Sequence, residues 1–219
     1  MIYGVGFEVV NRQTRAWVED PVFWPGEEGA DWTSLALLKT GSTEKLLLAT
    51  DGQPHSIDLE GRETSTPPLL ESSVSEMRVW TPPGAAAPWA GVCLALTNQV
   101  LFVENDVFFK IEPKWLEGTA VRLGSSLGQG PGELAFPLSF DAGPDGRIFV
   151  LDAGNGRIQV FDGEAHYITQ WGHPGSGAGE FNFGRGGSPE DFAGSVAVDS
   201  EGHIYVADVG NRRIQKFAP

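Results

Sequence analysis

One cysteine stands in 219 residues, Cys93 in the apolar run Gly91-Val92-Cys93-Leu94-Ala95-Leu96, so no disulfide forms within the chain and the thiol reads as core filler. Basic residues are scarce: 15 Lys and Arg face 29 Asp and Glu, a formal net charge of −14. Such a surface repels phosphate backbones and anionic lipid, so neither nucleic acid nor membrane is expected as a partner. No run of about 18 apolar residues exists, which excludes a transmembrane helix. The start, Met1 to Val10, has no basic n-region and no small-residue cleavage site. A cytoplasmic location is expected for the chain as written, and a secreted or periplasmic one if a leader precedes it. There are only four histidines, and neither paired cysteines nor a dinucleotide fingerprint.

What is abundant is punctuation. The 29 Gly and 15 Pro, with 41% apolar residues, suit many short strands joined by tight turns. The length is that of one all-β domain. The most informative stretch occurs twice. Gly146-Arg147-Ile148-Phe149-Val150-Leu151-Asp152-Ala153-Gly154-Asn155-Gly156-Arg157-Ile158-Gln159-Val160-Phe161 returns as Gly202-His203-Ile204-Tyr205-Val206-Ala207-Asp208, continuing to Asn211, Arg213, Ile214, Gln215 and Phe217, at a constant offset (202 − 146 = 56). A period of this size indicates blades or solenoid coils. Lys45 to Gly52 lies on Arg147 to Gly154 without a gap, a worn third copy. Runs such as Ile148-Phe149-Val150-Leu151 do not alternate, as expected of strands covered on both faces. The turn Asp152 to Arg157 is framework: Gly and Asn tolerate positive φ, and the carboxylate accepts turn N–H bonds and pairs with Arg157.

These copies resemble the NHL repeat, as do the elements before them, Gly130-Pro131-Gly132-Glu133 and Gly177-Ala178-Gly179-Glu180. The resemblance is strong from about residue 124 onward and weak before it. NHL repeats build β-propellers, usually of six blades, so the resemblance implies an all-β propeller of four-stranded antiparallel blades. About four blades fit here at roughly 40–45 residues each. The expected boundaries of this single propeller domain, 1–219, are 34–81, 91–124, 138–172 and 195–219, the last completed by residues 2–10 as its fourth strand. The alternatives are a piece of a larger ring and a homodimer that completes the ring between chains.

A meander fixes which loops share a face. If each inner strand runs from top to bottom, the top carries Gly52 to His55, Asp106, Gly154 to Gly156, Gly210 to Arg212 and the loops 82–88, 124–137 and 172–193. The last is the longest, and the 9 extra residues of its period (56 − 47) fall near Arg185 to Asp191. A ligand site is therefore expected over His55, Trp89, His173, Arg185, Asp191 and Phe192. The favoured reading is a non-catalytic scaffold that binds a protein, peptide or glycan, with no cofactor and no metal. Its rival is a metal-dependent lyase or hydrolase, because the resemblance extends to the peptide-amidating lyases, whose metal is held by histidines from top loops. On top this chain has only His55 and His173, so Glu133, Glu180 or Asp191 would have to supply a third ligand.

Overall fold

The computed structural model describes residues 5–7, 22–24, 32–50, 52–58, 63–65, 74–104, 121–124 and 127–219. All its regular elements are strands and short 3-10 turns. Two short strands, β1 (Val5–Phe7) and β2 (Val22–Trp24), pair with each other. The first four-stranded sheet is a meander of β3 (Trp32–Thr40), β4 (Thr43–Thr50), β5 (Gln53–Asp58) and β6 (Glu63–Ser65). The second is β7 (Val74–Trp80), β8 (Trp89–Leu94), β9 (Gln99–Glu104) and β10 (Val121–Leu123). The third is β11 (Pro137–Ala142), β12 (Ile148–Asp152), β13 (Arg157–Phe161) and β14 (Tyr167–Trp171). The fourth has three strands, β15 (Ser195–Val198), β16 (Ile204–Asp208) and β17 (Arg213–Phe217). Strands expected at residues 15–20 and 107–113, and the turn at Asp106, lie outside the described residues.

The first strand of each sheet neighbours the first strand of the next, β3 on β7, β7 on β11 and β11 on β15, so these four form the inside of the arrangement. Apolar faces fill the space between the sheets. Leu38, Leu47 and Ala49 pack on Met77, Val92 and Leu94 between the first two. Cys93, Val100 and Leu123 meet Phe140, Ile148 and Val150 between the second and third. Phe149, Leu151 and Ile158 meet Val196, Ile204 and Val206 between the third and fourth. Every residue of β12 and β13 is buried, whereas β16, with nearly the same sequence, alternates buried and half-buried. The difference is position: the third sheet is covered on both faces, the fourth on one.

An inner strand has no hydrogen-bonded neighbour on its channel side, so its outward N–H groups need acceptors. Side chains of the preceding inner strand supply them. Ser34 Oγ accepts from Met77 N at 2.8 Å, Glu76 Oε2 from Phe140 N at 2.8 Å and Ser139 Oγ from Val196 N at 3.0 Å. The three acceptors hold the same register, each just past a bulge near the top of its strand.

Two expectations are corrected. Residues 76–81 do not close the first sheet; β7 opens the second, and β6 is the first sheet's fourth strand. The polar alternation Ser75, Glu76, Arg78 looks like a solvent-facing outer strand, but Glu76 is spent on the inter-sheet bond and paired with Arg78 at 2.8 Å. The loop 82–88 therefore joins two strands of one sheet and lies at the bottom, where Pro83 packs beside Gly146 in the β11–β12 turn. Nor is the fourth sheet completed by the N-terminal strand, because β1 pairs with β2 instead and the sheets do not close. Among the described residues no helix is long and apolar enough to cross a membrane, which says nothing of a β-barrel.

Burial raises the Glu76 carboxyl above its ordinary value of 4.5, against the pull of Arg78 and of the bonds from Ser139 and Phe140 N. The folded chain thus keeps this proton to higher pH than the unfolded one, so its contribution is complete below 4.5 and is lost as pH rises through the folded value. Urea denaturation of the wild type should show stability declining over that window. Glu76→Gln should flatten this component of the profile, and an unchanged slope would show that the carboxyl does not titrate there.

Candidate functional site

The site is built on the two repeated turns. Asp152 is fully buried at the top end of β12 and takes four bonds. Its Oδ1 accepts from Ala135 N at 2.7 Å, and its Oδ2 from Asn155 Nδ2, Arg157 Nε and Gln159 Nε2 at 2.9, 2.7 and 2.9 Å. Asp208, also fully buried, repeats the set with Asn182 N, Asn211, Arg213 and Gln215. Desolvation opposes ionisation of Asp208, but the bonds from Asn182 N, Asn211 and Arg213 outweigh it and hold the carboxyl below its ordinary range.

The guanidinium groups then fasten the loop that enters each sheet. Arg157 donates to the carbonyls of Gln129, Gly130 and Glu133. Arg213 does the same to Ser176, Gly177 and Glu180. Inside those loops the glutamate closes the turn: Glu133 accepts from Gly130 N, and Glu180 from Ser176 N and Gly177 N. The Gly177 N–H, then the Ser176 N–H, His173 and Arg213, hold Glu180 below the usual carboxylate range. Asn155 and Asn211 are used for their amides rather than for positive φ. The left-handed residue of the turn is Gly156 in one copy and Arg212 in the other, at φ 63° and 55°.

Between the third and fourth sheets these fixed loops leave an open cleft of about 490 Å³ at the top. Its apolar wall is Pro174, Phe181, Phe183 and Phe192, and Phe181 and Phe183 stack at 5.1 Å. Its polar groups include the Asn182 amide and the Arg185 guanidinium, the one charged side chain in the lining. Neither has a hydrogen-bond or ion-pair partner among the described residues. A shallower hollow adjoins it, floored by Phe136 and Phe192, whose rings stack at 5.5 Å and 27°. Phe136 sits in left-handed backbone at φ 47°, pinned by Asn98 Oδ1 accepting its N–H at 2.7 Å. A bulky residue held there is strained, and such strain collects where a side chain is being presented.

Of the residues picked from the sequence, Arg185 and Phe192 line this cleft together. Asp191 shapes the loop instead: its Oδ2 accepts from Gly187 N and Ser188 N at 3.0 and 3.1 Å. Gly184, at φ 125°, has no room for a Cβ, which would lie 2.0 Å from Asp191 O. His173 is exposed on the rim beside Pro174, its Nε2 3.4 Å from Glu180 Oε1. His55 is not in a loop but inside β5, opposite Leu48. Trp89 begins β8 at the bottom, paired with Trp80 at 6.4 Å, and is packing rather than rim. His55 thus lies in the first sheet and His173 in the loop after the third. Among the described residues no three His, Cys, Asp or Glu side chains are grouped so as to hold a metal ion. Phe136 and Asn182 were missed. They follow the Gly-x-Gly-Glu elements by three and two residues respectively, and that closeness was the available signal.

The geometry of buried aspartate, asparagine amide and clamping arginine agrees with the sequence comparison, in which residues 134–161 and 191–217 match the NHL repeat model. No curated protein sequence matches this chain. Solved structures share the fold at low identity. A protein of unknown function from Bacteroides caccae is 15% identical over 97% of this chain and 69% of its own, with a TM-score of 0.56. The WD40 β-propeller domain of Doa1 is 12% identical over 91% and 54%, with a TM-score of 0.60. Virginiamycin B lyase from Staphylococcus aureus is 11% identical over 99% and 60%, with a TM-score of 0.51. The chain is therefore an all-β propeller structure that spans between about half and two-thirds of the length of these neighbours.

The two aspartates should differ in cost. The Arg157 side chain is 7% exposed and that of Arg213 31%, so Asp152→Ala strands a buried cation and Asp208→Ala a partly hydrated one. Loss of a buried partner costs about 3–5 kcal/mol. In urea titrations Asp152→Ala should fall in that range and Asp208→Ala clearly below it, and equal losses would contradict the burial difference.

Proposed function

We propose that this chain is a non-catalytic recognition module whose top cleft, between the third and fourth sheets, binds a carboxylate-bearing chain, an acidic peptide or an acidic glycan. One observation carries the reading: an unpaired cation and an unpaired amide, Arg185 and Asn182, face the same aromatic-walled cleft. Small-ligand sites are mostly apolar with a few polar groups that fix orientation, and this lining has that composition. A cation chosen for the cleft of a chain of net charge −14 selects an anion against the surrounding field. The stacked Phe136 and Phe192 rings offer a flat apolar surface for a sugar ring or an aliphatic side chain next to the charge. The framework carboxylates are consumed by backbone and arginine, so they are not free for acid–base work. The likeness to a lyase is one of fold and brings no residue to this cleft.

The test is calorimetric titration of the purified chain with trigalacturonate and with a Glu-rich hexapeptide, each against a neutral counterpart of equal length. An acidic probe should bind, and Arg185→Ala should weaken it roughly tenfold, the worth of one charge-assisted hydrogen bond. Phe192→Ala should weaken neutral and acidic probes alike. Binding that ignores Arg185, or neutral probes that bind as well as acidic ones, would overturn the assignment.

A further inference from the structure

The bond between inner strands repeats with a fixed register, and its two halves recur, unused, on the two outermost sheets. Position by position, Ser34, Glu76, Ser139 and Ser195 are equivalent, each in the register just past the top of its inner strand. The first three accept the N–H of Met77, Phe140 and Val196 in turn. Ser195, the fourth acceptor, is exposed and has no partner among the described residues.

The same register has an apolar half. The residue after each acceptor, Leu35, Met77, Phe140 and Val196, points back toward the preceding sheet. Met77, Phe140 and Val196 are buried to 2%, 0% and 0% exposure by that sheet, while Leu35 is 53% exposed and Leu37, two residues on, 52%. Farther out on that face Leu48 and Ile57 are buried, so the open part is the inner strand, where the repeated hydrogen bond is made elsewhere in the chain. The outer face of the fourth sheet presents Ser195, Ala197, Tyr205 and Ile214, the last 73% exposed. Among the described residues it meets no inserted knob and no N–H donor. The outer face of the first sheet has, among the described residues, a knob without a socket and a donor, Leu35 N, without an acceptor.

We infer that the fourth sheet of one copy docks on the first sheet of a second copy, Ser195 Oγ accepting from Leu35 N of that copy while Leu35 and Leu37 pack over Ile214, Ala197 and Tyr205. The occupant is a second copy because the interface continues one the chain already makes three times, and the first sheet carries the missing half in the right register. The contact is head to tail, joining two different surfaces. It leaves the top cleft open and stands independently of what that cleft binds.

This geometry has a test that a symmetric dimer fails. Leu35→Glu spoils only the first-sheet face and Ile214→Glu only the fourth-sheet face. In sedimentation equilibrium of the full chain at micromolar to millimolar concentration, the wild type should associate. Each variant alone should run as one chain mass. Their equimolar mixture should recover a two-chain species, because one variant keeps the intact knob and the other the intact socket. Both substitutions are at exposed positions, and circular dichroism checks that each variant folds. If Ile214→Glu does not fold, Ser195→Arg takes its place. A wild type that stays at one chain mass throughout overturns the inference. So does a mixture that stays monomeric where the wild type associates.

Discussion

Everything on the top face hangs from one buried carboxylate per repeat. Asp152 and Asp208 are placed where no water competes, and each gathers a backbone N–H, an amide, a guanidinium and a glutamine amide around a single group. An ionised carboxylate in such a place is tolerable only when its acceptor sites are filled. That requirement dictates the motif. Asparagine, arginine and glutamine at three, five and seven residues beyond the aspartate are the side chains able to reach it from a tight turn and the strand that follows. The arginine then has donors left over, and these seize the carbonyls of the entry loop. Strand, turn and loop become one rigid unit, and the cleft is the gap between two such units.

A second constraint acts on the inside. Inner strands converge without pairing to one another, so each carries an edge that must be satisfied. Side chains of the preceding inner strand do this: Ser34, Glu76, and Ser139 together with Asp141. Glu76 is a costly choice, since burial works against its charge, and Arg78 beside it offsets part of that cost. The buried Cys93 thiol next to it, pushed up by the same desolvation, donates to Pro137 O at 3.1 Å and serves as a small polar stitch between the second and third sheets.

Legibility in the sequence followed how local each cause was. The repeat from residue 124 onward was readable because its chemistry lies within one hairpin and recurs: the roles of Asp152 and Arg157 follow from their spacing in the turn. The first half was misphased by one strand. Glu76 looks solvated in sequence, and β6 is three polar residues long, so nothing local marks which sheet β7 joins. That error carried Trp89 and the loop at 82–88 to the wrong face. Among the site residues, Arg185 and Phe192 were found because they belong to an insertion in the repeat. Phe136 and Asn182 were not, since their exposure to the cleft depends on how neighbouring sheets diverge.

The sequence by itself determined the kind of unit, four short antiparallel strands closed by an aspartate-centred turn, because hydrogen-bond geometry within a hairpin is settled by residues a few positions apart. Tertiary structure alone decided which strands count as inner, which end of each sheet gathers the loops, and which faces stay uncovered. The same Ile-x-Val-x-Asp pattern is buried throughout in β12 and half open in β16, and only the presence or absence of a sheet on the far side distinguishes them.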